Sequence, residues 1–480
     1  MSLDVPPAPL KPFRPRWSRL FLWLGTPSAL GLLGLALEGL YLRHVAEATL
    51  AEAVAEADRE GPGWRLEEIE AARGTLADDE NGALQVGKAY DALPDDWKRP
   101  VPPKKGEVAT RGPDLLASLP AGTPEVLLDE ARAKLVAAEV ERTAGAVALA
   151  REMVGFPDGR YPIDWQDDLF KTLLPGQQNS RQVARLLALD AVDRAQRGDV
   201  DGALASCRAL LNVGRAIGDE PLAISQLVRM AIGSVAELAV ERTLARGKPG
   251  EAELVAVQAA FASESYEPLL NYAAAGARAM LFQFFSNLDA GLISLDGGAK
   301  PGRVAPWDRV KYRYSQGIAL GFMNRCVAIA DRPPHEQPPR WAGWEADLAA
   351  GSKTRGARLT GGLDYRLLPA IPDVSRIYAR DRALLGAIAT LAAAERFRKL
   401  KGDWPGSASD IEAALETKLP ADPYLPGPYR LGRFEGGLVV YSIGPDGLDD
   451  GGNLDNNKYE RAGVDLGFRL WDVAGRRRAP

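Results

Sequence analysis

The chain has 480 residues, 46% of them hydrophobic and 26% charged, a globular composition long enough for more than one domain. A formal charge of −5 and a pI near 5.5 exclude a general nucleic-acid binder. Two cysteines with no CxxC and two isolated histidines exclude the usual zinc spacings.

Residues 1–19 form a basic arm carrying Lys11, Arg14, Arg16 and Arg19. The next run, 20–42, has no charge from Leu20 to Leu37, with Trp17, Trp23 and Tyr41 near its ends. At a rise of about 1.5 Å per residue such a helix reaches roughly 34 Å, enough for a hydrocarbon core of about 30 Å. Aromatic rings favour the headgroup zone and the cation-rich flank stays cytoplasmic. The expectation is one crossing of the cytoplasmic (inner) membrane, N-terminus inside and the C-terminal bulk extracytoplasmic. Ala46-Glu47-Ala48 offers a cleavage tripeptide, but the apolar run exceeds the ~7–15 residues of a signal peptide, so an uncleaved anchor is expected. Glu38 can reach the interface or pair with Arg43.

Residues 43–98 read as a membrane-proximal helical region. A helix over Ala46–Ala57 ends at Gly61-Pro62-Gly63, and a short second one spans Trp64–Arg73. Residues 99–124 hold six prolines and read as a linker. Residues 125–331 are expected as a helical domain. Ile224, Leu227, Val228, Ala231, Ile232, Val235, Leu238 and Ala239 repeat at three and four, and Val200, Leu204, Cys207, Leu211 give a second stripe. Short breaks such as Gly198-Asp199 favour antiparallel helix pairs. Gly198 to Leu204 resembles the turn of a tetratricopeptide (TPR) repeat, but the helix-A aromatic is replaced by Arg194 and no second copy follows, so an irregular, weakly TPR-like domain is expected. Residues 332–372 are Pro/Gly-rich and read as a loop, with Trp341 and Trp344 docking it onto a neighbour. Cys207 and Cys326 are free to pair outside the cytoplasm, yet on helices they read more simply as separate buried small hydrophobes.

Residues 373–480 form the last unit. Asp373 caps a helix to about Leu400, Lys401–Pro405 stops it, and Ser409–Glu416 is a short helix. Strands follow near Tyr429, over Leu438–Ile443 and over Leu466–Leu470. Arg476, Arg477 and Arg478 read as a solvated end. The fold class is therefore mostly α, with one N-terminal transmembrane helix and a small α+β end module.

Three ordered motifs in that module, Lys401–Pro405, Leu419–Tyr424 and Tyr441–Gly447, resemble the soluble domain of type II secretion major pseudopilins. The likeness spans Asp381 to Asp465. The distance between anchor and module, and Glu38 lying late in the apolar run, set the chain apart from a pilus subunit. As a whole it resembles membrane-anchored envelope proteins of planctomycete-type bacteria. The pseudopilin resemblance implies calcium, with Asp446 matching a ligand position and Ile443 a backbone carbonyl donor. Asp449, Asp450 and Asp455 add carboxylates nearby, and Asp465 stands where it can close the site. Hard oxygen donors suit Ca²⁺. A solvated acidic turn is the alternative, and no EF-hand register is met.

His44 and His335 lie in places unsuited to a nucleophilic triad, and no phosphate or dinucleotide loop is found. The expected function is a noncatalytic, single-pass envelope protein whose helical domain and calcium-stabilised module dock a protein partner. The alternatives are an extracytoplasmic hydrolase using Asp164, Asp167 or Asp168 beside Trp165, which requires a deep acidic pocket, or an accessory of a type II secretion-like machine.

Overall fold

A computed structural model describes residues 17–100, 109–119, 123–295, 302–368, 370–454 and 463–480, with the backbone alone at 17–32, 35, 355, 359 and 364. The basic arm before Trp17, residues 101–108 of the Pro-rich linker and Asp455 lie outside the described residues.

The chain is mostly helical. It opens with α1 (Trp17–Glu60), α2 (Leu66–Ala72), α3 (Gly82–Asp91), α4 (Asp95–Lys98) and α5 (Asp114–Ala117). The body follows as α6 (Glu130–Arg142), α7 (Ala144–Arg151), α8 (Pro175–Arg197), α9 (Val200–Arg215), α10 (Ala223–Leu244), α11 (Glu251–Ser265), α12 (Leu269–Ala290) and α13 (Pro306–Ala330). After these come α14 (Gln337–Gly351), α15 (Arg355–Thr360), α16 (Leu363–Arg366), α17 (Ile371–Lys401) and α18 (Ala408–Leu415). The strands are β1 (Arg430–Phe434), β2 (Gly437–Ser442) and β3 (Leu466–Trp471).

The α8–α9 turn forms as its residues demand. Gly198 takes φ of 90° to end α8, and the Asp199 carboxylate accepts from Gly202 N at 3.0 Å to cap α9. On α10 the apolar stripe is narrower than its spacing suggests. Val228, Ile232, Ala236 and Val240 are buried, whereas Ile224 and Leu238 are half-exposed, and Glu237 and Glu241 are buried in their stead. Among the residues whose side chains are described, α10 is the one helix long and apolar enough to cross a membrane, and 61% of its apolar window is buried within the protein, as in a core helix.

One apolar cluster runs from Val86 through α8, α9, α10 and α11 to the middle of α17 and to Phe468 and Leu470 on β3. A second joins α12, α13, Trp341, Trp344 and the start of α17. Cys207 sits in the first and Cys326 in the second, both free and buried, and burial pushes the Cys207 thiol up to about 12.

Two expectations need correction. Residues 332–372 are largely helical: Pro338 and Pro339 lie in the first turn of α14, where backbone N–H groups have no intrahelical acceptor to lose. Trp341 Nε1 donates to Ser375 Oγ at 2.8 Å and Trp344 Nε1 to the Phe322 carbonyl at 3.0 Å, so both rings dock the helix. The arginines at 476–478 are not a free end, although Arg477 and Arg478 stay exposed. Arg476 is buried and donates to both Glu395 carboxylate oxygens, at 3.0 and 2.8 Å, and to the Gly247 carbonyl at 2.6 Å. Arg477 donates to the Ala195 carbonyl, and Arg478 pairs by backbone with Val126.

The sheet is antiparallel in the order β1-β2-β3, with Leu438 opposite Leu470 and Val440 opposite Phe468. It rests on α17 and α10. The sequence of long helix, short helix and small sheet is thus present, but Asp373 does not cap the long helix: Ala370 is its N-cap, three residues earlier, and Asp373 lies in the first turn of α17, where a carboxylate suits the helix dipole.

Candidate functional site

The acidic loop leaves the sheet at the end of β2, whose residues are all buried. Gly444, Gly447, Gly451 and Gly452 all have φ between 70° and 79°, a region that side chains with a Cβ avoid, so the backbone coils tightly there. The chain returns to β3 through Asp465, whose N–H donates to the Asn453 carbonyl at 2.9 Å.

The proposed ligands divide into three sorts. Asp446 is exposed and Oδ1 accepts from Leu448 N at 3.1 Å, an ordinary Asx turn. Asp449 is committed: Oδ1 accepts from Gly451 N and the Tyr441 hydroxyl, and Oδ2 meets Arg430 Nε at 2.9 Å. Asp465 is 1% exposed; Oδ2 accepts from Gly452 N at 2.8 Å while Oδ1 is buried with no partner. Asp450 Oδ2 is likewise buried and unpartnered. Burial first, then the neighbouring Asp450 and Asp449 charges, push the Asp465 carboxyl up, against backbone N–H donors that favour its charged form. Ile443, the expected carbonyl donor, is buried where the chain leaves β2. Asp455 lies outside the described residues.

Two orphaned carboxylate oxygens on one loop fit a hard cation, which would neutralise both and cancel their repulsion. Asp450 and Asp465 are the residues best placed to hold it. Among the described residues no three His, Cys, Asp or Glu side chains form a ready metal cage. Sequence reasoning passed over Asp422, which is buried, accepts from Ser442 Oγ at 2.8 Å and has a second oxygen with no partner. Its position in the Leu419–Tyr424 motif was the available signal.

The alternative acids are not gathered into a deep pocket. Asp164 and Asp167 are exposed, and Asp168 is ion-paired with Lys171 at 2.9 Å. His44 and His335 are exposed. The buried carboxyls lie elsewhere: Glu237 on α10 and Asp381 on α17 are both pushed up, Glu237 by burial and then by Asp381, Asp381 by burial and then by Glu264.

The described side chains of α1 divide at Val45. Leu33, Leu37, Leu40 and Tyr41 are more than half exposed. Beyond them Ala46, Ala53 and Ala57 are buried, and Asn324 Nδ2 on α13 donates to the Ala53 carbonyl at 3.0 Å. No family model, curated protein or solved structure matches this chain.

Proposed function

We propose that this chain is a noncatalytic envelope protein, anchored in the cytoplasmic membrane by residues 20–42. Its helical body and pseudopilin-like end module, stiffened by calcium at Asp450 and Asp465, dock a protein partner on the extracytoplasmic side. The observation that carries the reading is α1. One unbroken helix bears a row of large exposed apolar side chains up to Tyr41 and then packs into the body. Such a row on a helix is costly in water and suits lipid. The charge-free run before Glu38 and the cationic flank give the orientation.

The test is topological. Alkaline phosphatase, active only outside the cytoplasm, is joined after Pro480 through a flexible linker, and membranes are washed in alkaline carbonate. Active enzyme that stays with the membrane is the expected result. A cytosolic reporter, or a chain released by the wash, would overturn the reading.

A further inference from the structure

The anchor does not leave the body alone. Three pairings fix how α1 and α13 run together. Arg313 meets Glu47 at 3.5 Å, the Gly317 backbone lies against Thr49 and Leu50, and Asn324 contacts Ala53 and Glu56. Both numbers rise together, so the helices are parallel, and the start of α13 points the same way as the apolar part of α1. Ten residues back from Gly317 is Trp307; ten back from Leu50 is Leu40. Each step is roughly 15 Å along its axis, which brings Trp307 level with the exposed end of the anchor.

Helix α12 runs antiparallel to α13, with Gln316 Nε2 donating to the Phe282 carbonyl at 2.9 Å and Arg313 bonded to Asp289 at 3.2 Å. The tip of this hairpin is pinched where Gly302 N donates to the Gly291 carbonyl at 3.1 Å. At that tip Leu292 is 46% exposed, Leu295 48% and Trp307 41%. Tryptophan is rarely left this open in water, and its amphipathic ring favours the membrane interface. Arg303 and Arg309 are exposed beside them. Between α1 and α13, with α15 alongside, a cavity of about 400 Å³ at the same level is walled by Tyr41, Leu42, Val45, Trp307, Val310 and Tyr314, with Glu38 and Lys311 supplying one charge of each sign.

Resting on the anchor reading above, we infer that the α12–α13 tip is a second membrane contact. Leu292, Leu295 and Trp307 enter the headgroup and upper acyl zone of the leaflet from which α1 emerges. The occupant of the cavity is then a phospholipid of that leaflet. The argument for lipid over protein is continuity: a helix passing into the bilayer near Tyr41 puts headgroups against whatever stands level with Tyr41. Two attachments, one spanning and one interfacial, fix the tilt of the body as a single helix cannot.

The full chain in vesicles of phosphatidylethanolamine and phosphatidylglycerol tests this. Spin labels are placed one at a time through Leu292→Cys, Trp307→Cys, Leu37→Cys and Leu400→Cys, the buried Cys207 and Cys326 being shielded from the reagent. Leu400 is exposed on α17 and reports water. The ratio of oxygen to nickel-chelate accessibility at 292 and 307 is expected several-fold above that at 400, approaching that at 37. Values at 292 and 307 matching 400, with 37 lipid-exposed, overturn the inference and leave the anchor standing. A label at 37 that also reports water sinks both. Spin–spin broadening at 307 that disappears on dilution with unlabelled chain marks a second copy on this face, and overturns the lipid assignment. Arg303→Cys, outside the helix packing, repeats the measurement should Trp307→Cys fail to fold.

Discussion

At the residue scale, Asp465 joins the end module's fold to its proposed ligand. A buried carboxylate oxygen with no donor costs about 1–3 kcal/mol, and a second orphan on Asp450 adds to it. Calcium at a hundredfold excess over its dissociation constant would contribute about 2.7 kcal/mol. In the full chain in detergent, millimolar calcium should therefore raise the unfolding midpoint by several degrees over chelator. Asp465→Asn should lose most of that shift, and an unchanged midpoint in the unaltered protein would retire the site. The loop was legible in the sequence because Asp and Gly crowd there. What could not be read was which carboxylates are already taken, since Arg430 comes to Asp449 from another strand. Arg476 escaped for the same reason: its partner Glu395 is 81 positions away, and a basic run reads as solvated until that partner is seen.

At the scale of elements, the α1–α13 pairing depends on a residue with no side chain. A Cβ at Gly317 would come within 2.9 Å of backbone atoms of Thr49 and Leu50, which cannot swing aside. Gly317→Val should push the helices apart and cost about 1–3 kcal/mol. Gly321→Ala, one turn on and facing open space, should be neutral or stabilise by up to about 1 kcal/mol through helix propensity. Thermal unfolding of the two variants side by side decides this, and equal midpoints would mean that the pairing carries no load. Helix existence was largely readable from period and breaks, as at Gly198-Asp199, where the turn formed. It failed at α14, where four prolines near the start looked like a break. Only two of them, Pro338 and Pro339, fall inside that helix, both in its first turn. The tryptophans were the better signal there, since both needed a neighbour and found one.

Across the whole molecule, acids are buried where α10 and α17 meet the sheet. Glu241 accepts from Arg469 N at 2.9 Å, and burial still pushes its carboxyl up to about 7 from an ordinary 4.5. A raised carboxyl binds its proton more tightly in the folded state, so its contribution is full below pH ~4.5 and is lost as pH climbs through about 7. The loss by pH 8 is about 3 kcal/mol at ~1.4 kcal/mol per pKa unit. Glu241→Gln keeps the acceptor and cannot ionise, so it should match the parent near pH 5 and exceed it at pH 8. A parent that loses no midpoint relative to this variant over that range would sink the assignment. Glu264 and Glu395 pull the other way: despite burial, their arginine partners hold them below the ordinary value, so their contribution fades in acid. None of this was visible in the spacing of α10, which displays an apolar stripe and hides the acids beside it. Arg476 and Arg477 bond to carbonyls 229 and 282 positions earlier. During synthesis, a body complete as far as residue 475 would hold Glu395 without one of its two guanidinium partners. Until residues 476 and 477 are in place, Glu395 has Arg398 alone as its cation, and the Gly247 and Ala195 carbonyls lack these donors.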